Sequence, residues 1–298
     1  MPSLAVHRRP PARALAMALS LLVLGLSGVA LAGSPAAIWG AIKTPSPGAP
    51  RAIGDYSGGC LQGGQALPLE GPGYQVMHPG RLRYYGHPAL LDFVQRLGAA
   101  ADAGGHGPLL VGDLAQPRGG RASGGHASHQ SGLDVDIWFW HPRAAEKGPL
   151  PTGERERLKA RSILNGRKGE IRERWKSKVA GTLELTARDR RVERVFVHPI
   201  IKRELCERTQ GDRAWLRQIR PWYGHDDHFH VRLACPADSP DCTPQDPVGE
   251  GDGCDELSWW FDAEAQAERK RERSRYRRKV VGGARWPAQC DALLEQPK

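Results

Sequence analysis

Two stretches concentrate the side chains of this chain that can do chemistry. One is Gly125-His126-Ala127-Ser128-His129-Gln130-Ser131-Gly132-Leu133-Asp134-Val135-Asp136. The other is Trp222-Tyr223-Gly224-His225-Asp226-Asp227-His228-Phe229-His230-Val231. Together they hold five of the eleven histidines, with carboxylates close by. Imidazole and carboxylate are ligands that zinc accepts, and two histidines with one carboxylate leave a fourth position open for water. That donor set is of the catalytic rather than the structural kind. A lone histidine is more often an ordinary hydrogen-bonded residue; the constellation points to a metal.

The elements that must position these residues are legible from periodicity. Over residues 133–139, Leu133, Val135, Ile137 and Phe139 alternate with Asp134, Asp136 and Trp138. This predicts a strand with both aspartates on the face away from the core. Residues 228–233 alternate likewise, so His228 and His230 share one face while Phe229, Val231 and Leu233 enter the core. His129 precedes Asp136 by seven residues, with Gly132 between them to turn the backbone. If the two polar faces adjoin, His129, Asp136 and one of His228 or His230 make a three-ligand site. The other histidine then lies within reach of a proton from the attacking water.

Elsewhere, Pro88–Ala103 has amphipathic-helix spacing ended by Gly104-Gly105, and residues 109–113 read as a short buried strand. The charged stretch 153–178 is expected to be helical with a break at Asn165-Gly166. Residues 194–198 form a strand stopped by Pro199, and 200–208 and 212–219 are brief helices. Strands interspersed with helices, without regular βαβ alternation, predict an α+β fold.

The N-terminus is an address. Arg8, Arg9 and Arg13 precede an apolar run over 14–29 and the small-residue exit Ala30-Leu31-Ala32, so residues 1–32 are expected to be a cleaved secretory signal that leaves no stable membrane insertion. Residues 33–55, rich in Pro, Ala and Gly, are expected to be a flexible, extended lead-in. Six cysteines in an exported chain imply disulfides, and Cys235 and Cys242 flank a short Pro-containing loop suited to a local bridge. The net charge of +10 collects at 155–178 and 269–279. These runs lack interleaved aromatics, so they read as solvated helical faces or attraction to an anionic wall polymer, with no nucleic-acid partner.

Beyond the two histidine blocks, the chain carries Gly112-Asp113, Gln116-Pro117, Gly119-Gly120-Arg121, Arg220-Pro221-Trp222 and, after His228-Phe229-His230-Val231-Arg232-Leu233, Cys235-Pro236. In these motifs it resembles the penicillin-insensitive murein endopeptidases, exported members of a zinc-peptidase group that also includes D-Ala-D-Ala carboxypeptidases. The resemblance spans residues 58–294. It implies a hedgehog/D-Ala-D-Ala-peptidase-like fold, with a central, mostly antiparallel sheet flanked by helices and stapled by disulfides, in one zinc endopeptidase domain over 56–298. It implies His129, Asp136 and His230 as zinc ligands and His228 as general base. His126 and His225 match histidines with roles in substrate contact, proton handling or an accessory metal. The implied disulfides are Cys60–Cys290, Cys206–Cys254 and Cys235–Cys242.

The implied substrate is the D-alanyl–meso-diaminopimelate amide in the peptide cross-bridge of peptidoglycan, cut in the periplasm of a Gram-negative-type cell without a serine acyl-enzyme. The segment matching an accessory metal site is Asn165-Gly166-Arg167-Lys168 here, and Lys168 is a poor ligand, so one zinc per chain is expected. Asp134 is expected to support or salt-bridge rather than ligate. Arg121 either stabilises an oxyanion or pairs with Asp113. Trp222 and Tyr223 are expected in core or rim packing, with the substrate groove as the alternative. Two rival functions are a zinc D-Ala-D-Ala carboxypeptidase and a non-catalytic zinc-containing wall-binding protein.

Overall fold

The two alternating segments become neighbouring strands at the centre of a seven-stranded sheet. This computed structural model describes residues 34–123, 127–166, 169–268, 270–271 and 286–296, all within the unit Gly33–Lys298. The strands of the sheet are β1 (Glu70–Gly71), β2 (Tyr74–Val76), β3 (Leu109–Val111), β4 (Asp134–Trp138), β5 (Val192–Val197), β6 (Ile219–Pro221) and β7 (His228–Leu233). Their order across the sheet is β6-β5-β7-β4-β3-β2-β1. Four of the six pairings are antiparallel; β5 with β6 and β2 with β3 are parallel. The sheet is therefore mixed, and the fold is α+β.

Three helices pack beside it: α1 (Pro88–Ala103), α2 (Lys176–Ala187) and α3 (Pro199–Arg208). In α1 and α3 a histidine caps the N-terminus ahead of a proline, the ring of His87 accepting from the Ala89 N–H and that of His198 from the Ile200 N–H. These caps satisfy backbone donors that a helix start leaves orphaned. Leu90, Phe93, Val94 and Leu97 of α1 join Val135, Ile137, Phe229, Val231 and Leu233 in the main core. Each such buried side chain contributes about 1.5–3 kcal/mol relative to exposure. This apolar side of β4 and β7 fixes which side chains are left for the other face.

Three disulfides, Cys60–Cys290, Cys206–Cys254 and Cys235–Cys242, staple the chain. The first joins the hairpin Arg51–Asp55/Gly58–Gln62 to a C-terminal helix, α4 (Ala288–Glu295). Trp39, Ile42, Ile53 and Leu293 bury around that bridge.

Three segments differ from expectation. Residues 34–55 include the helix Pro35–Gly40 and the first hairpin strand, because Trp39 and Ile42 are apolar anchors that the Pro/Gly composition hides. The stretch 153–178 is largely not helical. It contains the short helix Thr152–Arg157, a two-residue hairpin Leu164–Asn165/Glu170–Ile171 and the 3-10 turn Glu173–Trp175 before α2 begins. Tertiary contacts override its composition: Ile163 N–H donates to the Asp226 carbonyl, and buried Arg155 reaches the Leu69 carbonyl and Glu70. Residues 212–219 shorten to the 3-10 turn Ala214–Gln218. Arg167, Lys168 and most of 269–279 lie outside the described residues. Among the described residues no helix is long and apolar enough to cross a membrane.

Candidate metal centre

Register decides the site. β7 runs antiparallel to β4 so that His230 lies opposite Asp136, Arg232 opposite Asp134, and His228 opposite Trp138. Because side chains alternate, Asp134, Asp136, His228, His230 and Arg232 all project to one face. That face is covered rather than open: Asp134 is 0% exposed, and Asp136, His230 and Arg232 are each 5%. Burial this deep demands that the charges pair.

One donor atom from each of His129, Asp136 and His230 lies within 4.8 Å of the other two, and all three residues are buried. His129 Nε2 is 3.3 Å and His230 Nδ1 3.0 Å from Asp136 Oδ1. The donors are two imidazoles and a carboxylate converging on one point, which suits zinc. Burial alone works against ionising Asp136, yet His129 and His228 overcome it and hold the carboxyl well below the usual range. Asp136 is thus poised as an anion.

His129 comes from a loop, and its backbone sits in the left-handed region at φ 66°. A non-glycine residue there costs of order 1–3 kcal/mol and is held by its surroundings. Its N–H donates to Asp134 Oδ2 at 2.9 Å. Gly132, at φ 76°, makes the turn into β4 that the spacing called for.

Asp134 knits the centre together. It receives Arg232 Nε at 2.8 Å and a second guanidinium nitrogen at 3.1 Å, and its Oδ1 lies 3.2 Å from His230 Nε2. Burial opposes its charge, but Arg232 and His230 hold the carboxyl far below its ordinary pKa. A carboxylate behind a histidine orients the ring and leaves its other nitrogen for a cation.

Beside the trio, His228 presents Nε2 3.6 Å from Asp136 Oδ1, while its Nδ1 lies 2.6 Å from Asp227 Oδ1. Burial disfavours the imidazolium, but Asp136 and Asp227 outweigh it and push its pKa up to about 9. The Asp136 part of that pull is the part a bound cation neutralises. The His225 ring is 5.0 Å from that of His228, with Nδ1 3.3 Å from the Trp222 carbonyl. Burial, then the neighbouring His230 and His228, push it down to about 3, so it stays neutral.

His126 lies outside the described residues. Arg121 stacks its guanidinium over the Trp286 ring at 5.5 Å, while Asp113 pairs with Arg83 at 2.7 Å and Arg81 at 3.5 Å. Trp222 and Tyr223 are exposed beside the site rather than packed in the core.

Three contributors escaped the sequence reading. Asp227 orients His228, and its signal was an acid immediately before the first histidine of the strand. Arg83 joins Asp113 to the Ser123 carbonyl and hydroxyl at 2.6 and 3.1 Å, so it ties the histidine loop to the segment that accepts from the Asp136 N–H. Phe196 packs its ring 5.4 Å from that of His230. Neither of these last two carries a sequence signal.

An α+β sheet with a buried His–Asp–His donor set and a further histidine alongside belongs to a class compatible with metallopeptidases. The family model described as penicillin-insensitive murein endopeptidase matches residues 52–295. A penicillin-insensitive murein endopeptidase of Haemophilus influenzae is 46% identical over 229 residues, covering 75% of this chain and 79% of the relative. One from Salmonella heidelberg is 40% identical over 283 residues, covering 94% and 97%. The chain belongs to the penicillin-insensitive murein endopeptidase family.

Proposed function

We propose that this chain is an exported zinc endopeptidase that hydrolyses the D-alanyl–meso-diaminopimelate cross-link of peptidoglycan in the periplasm. The observation that carries the reading is the buried convergence of His129, Asp136 and His230 in a chain of this family. These three would hold the metal. When bound, zinc supplies polarisation of the scissile carbonyl and acidification of water.

The remaining steps fall to the protein. His228 Nε2 takes the proton from the attacking water and returns it to the leaving amine, with Asp227 holding the ring by its Nδ1. Asp134 fixes His230 from behind and His129 through its N–H, so both rings keep their aim. His225, kept neutral, stands next to His228 as a hydrogen-bonding partner for substrate.

Digestion of purified cross-linked muropeptide dimers, read by mass spectrometry, tests this. Conversion to monomers, stopped by chelator and untouched by penicillin, is expected. Release of free D-alanine alone would reassign the chain as a carboxypeptidase. His230→Ala is expected to lose both zinc and activity. His228→Ala is expected to keep zinc and lower kcat about 100- to 10,000-fold; full activity there removes His228 from the mechanism.

A further inference from the structure

A row of aromatic rings leads away from the metal centre and takes no part in its proton chemistry. The Phe196 ring lies 5.4 Å from that of His230 and 6.1 Å from that of Trp222. Trp260 follows Trp222 at 6.3 Å, and Trp259 follows at 5.3 Å. Trp222 is 55% exposed, Trp259 41%, Tyr223 37% and Phe261 36%. These are four of the six large apolar side chains exposed among the described residues. Such residues normally scatter singly, and gathering them in one patch marks a binding surface.

The patch is anchored. Trp259, Trp260 and Phe261 ride on the short helix Leu257–Phe261, whose Leu257 is buried. The Cys206–Cys254 bridge ties the segment before it to α3, and Glu256 pairs with Arg220 at 2.9 Å. Tyr223 Oη donates to the Trp260 carbonyl at 2.6 Å, and Arg203 lies over the Phe261 ring at 4.5 Å. Rings held in place lose little freedom when a ligand docks, which favours affinity.

We infer that this shelf is a glycan-binding subsite, on which sugar rings of a peptidoglycan strand lie while the attached peptide stem reaches the metal centre. The inference rests on the murein reading above. Indole offers a broad apolar face edged by one N–H donor. A pyranose is its complement, with an apolar C–H face and a rim of hydroxyl and amide acceptors. Reach agrees as well. A four-residue stem spans about 13–14 Å when extended, longer than the two ring-to-ring steps of 5.4 and 6.1 Å that lead from His230 to Trp222, the near edge of the shelf. Charge at the shelf is mixed: exposed Asp255, Asp262 and Glu264 flank the aromatic helix, Glu256 is paired with Arg220, and Arg203 lies over Phe261. The helix Leu257–Phe261 itself carries no Lys or Arg, so it lacks the basic cluster by which a segment binds anionic lipid, whereas an uncharged sugar needs only its rings.

The test titrates glycan strands stripped of their peptides onto the purified protein, followed by tryptophan fluorescence and calorimetry. Saturable binding is expected, weakened at least tenfold by Trp259→Ala combined with Trp260→Ala, and severalfold by Trp259→Ala alone, the smaller surface change. No saturable binding, or equal affinity in folded variants, overturns the subsite. In kinetics, the ratio of kcat/KM for disaccharide-bearing dimer over glycan-free cross-linked peptide is expected to exceed ten through KM and to fall toward one in the variants. A wild-type ratio of one also overturns it. So does self-association, or binding to phosphatidylglycerol vesicles, that the variants abolish in the absence of glycan binding. Stripped strands contain no scissile amide, so the two readings fail separately. Dimer cleavage without glycan binding rejects the shelf, and glycan binding without dimer cleavage rejects the endopeptidase.

Discussion

The strand-borne and loop-borne halves of the candidate metal centre are built in different ways. Asp136 and His230 face each other across β4 and β7, their positions set by a backbone ladder and an apolar core on the opposite side. His129 hangs from a loop in a left-handed conformation, held by Asp134 at its N–H and flanked by Gln130, whose carbonyl accepts from Gly120. The strand donors draw on the cooperativity of the sheet. The loop donor depends on individual contacts, so it is the half that remote changes should disturb first.

Asp134 belongs to both halves, and removing it should have the largest effect. Asp134→Ala leaves Arg232 buried without its carboxylate, strips the acceptor from the His129 N–H and releases His230 Nε2. Breaking such a buried pair costs about 3–5 kcal/mol, which urea unfolding will report, together with loss of zinc affinity. A loss under about 1 kcal/mol would mean that the two halves are not joined there.

Gly119→Ala attacks the loop alone. Gly119 sits at φ 64°, and a Cβ there would lie 1.9 Å from the Gln130 carbonyl oxygen. The loop must shift, at a cost of about 1–3 kcal/mol. Zinc affinity measured by competition with a chelating dye should fall more than the change in Tm suggests. Arg83→Ala is milder. It opens the clasp between Asp113 and Ser123, with an expected loss of about tenfold in zinc affinity and little change in Tm. Equal loss of stability and affinity would assign Arg83 to the fold rather than the loop.

Lys202 offers a control remote from both halves, with the smallest expected effect on the site. Its ammonium is fully buried, donating to the Leu216 and Asp252 carbonyls, and burial pushes its pKa from 10.5 down to about 7. Between those values the unfolded chain holds the proton and the folded chain releases it. Stability should therefore climb as pH rises from about 7 toward 10. Lys202→Met should flatten that rise in denaturation curves while leaving zinc affinity alone. A flat profile in the parent protein would show that Lys202 stays charged in the fold.

Much of this was legible in the chain. The 133–139 and 228–233 alternations announced their strands, and α1 appeared within its predicted bounds because its apolar spacing and terminal glycines agree. The stretch 153–178 misled because charge density says that a segment is solvated, not that it is helical. The Ile163 N–H is claimed instead by the Asp226 carbonyl and the Arg155 side chain by the Leu69 carbonyl, both far away in sequence. Trp39 and Ile42 were hidden for the converse reason: two apolar side chains suffice to anchor a segment whose composition otherwise reads as loose.

The sequence by itself determined the donor types, the strand faces that carry them and the glycine turn that brings His129 back toward β4. These follow from local stereochemistry, since alternation assigns a face to every residue of a strand. Only the tertiary structure decided who stands opposite whom. Register put His230 against Asp136 and Arg232 against Asp134, and it turned a second aspartate on the same face into the support of the centre. It also set Phe196 opposite His230 and drew an aromatic row out from there. Pairing between strands depends on the packing of the whole core, which no local pattern encodes.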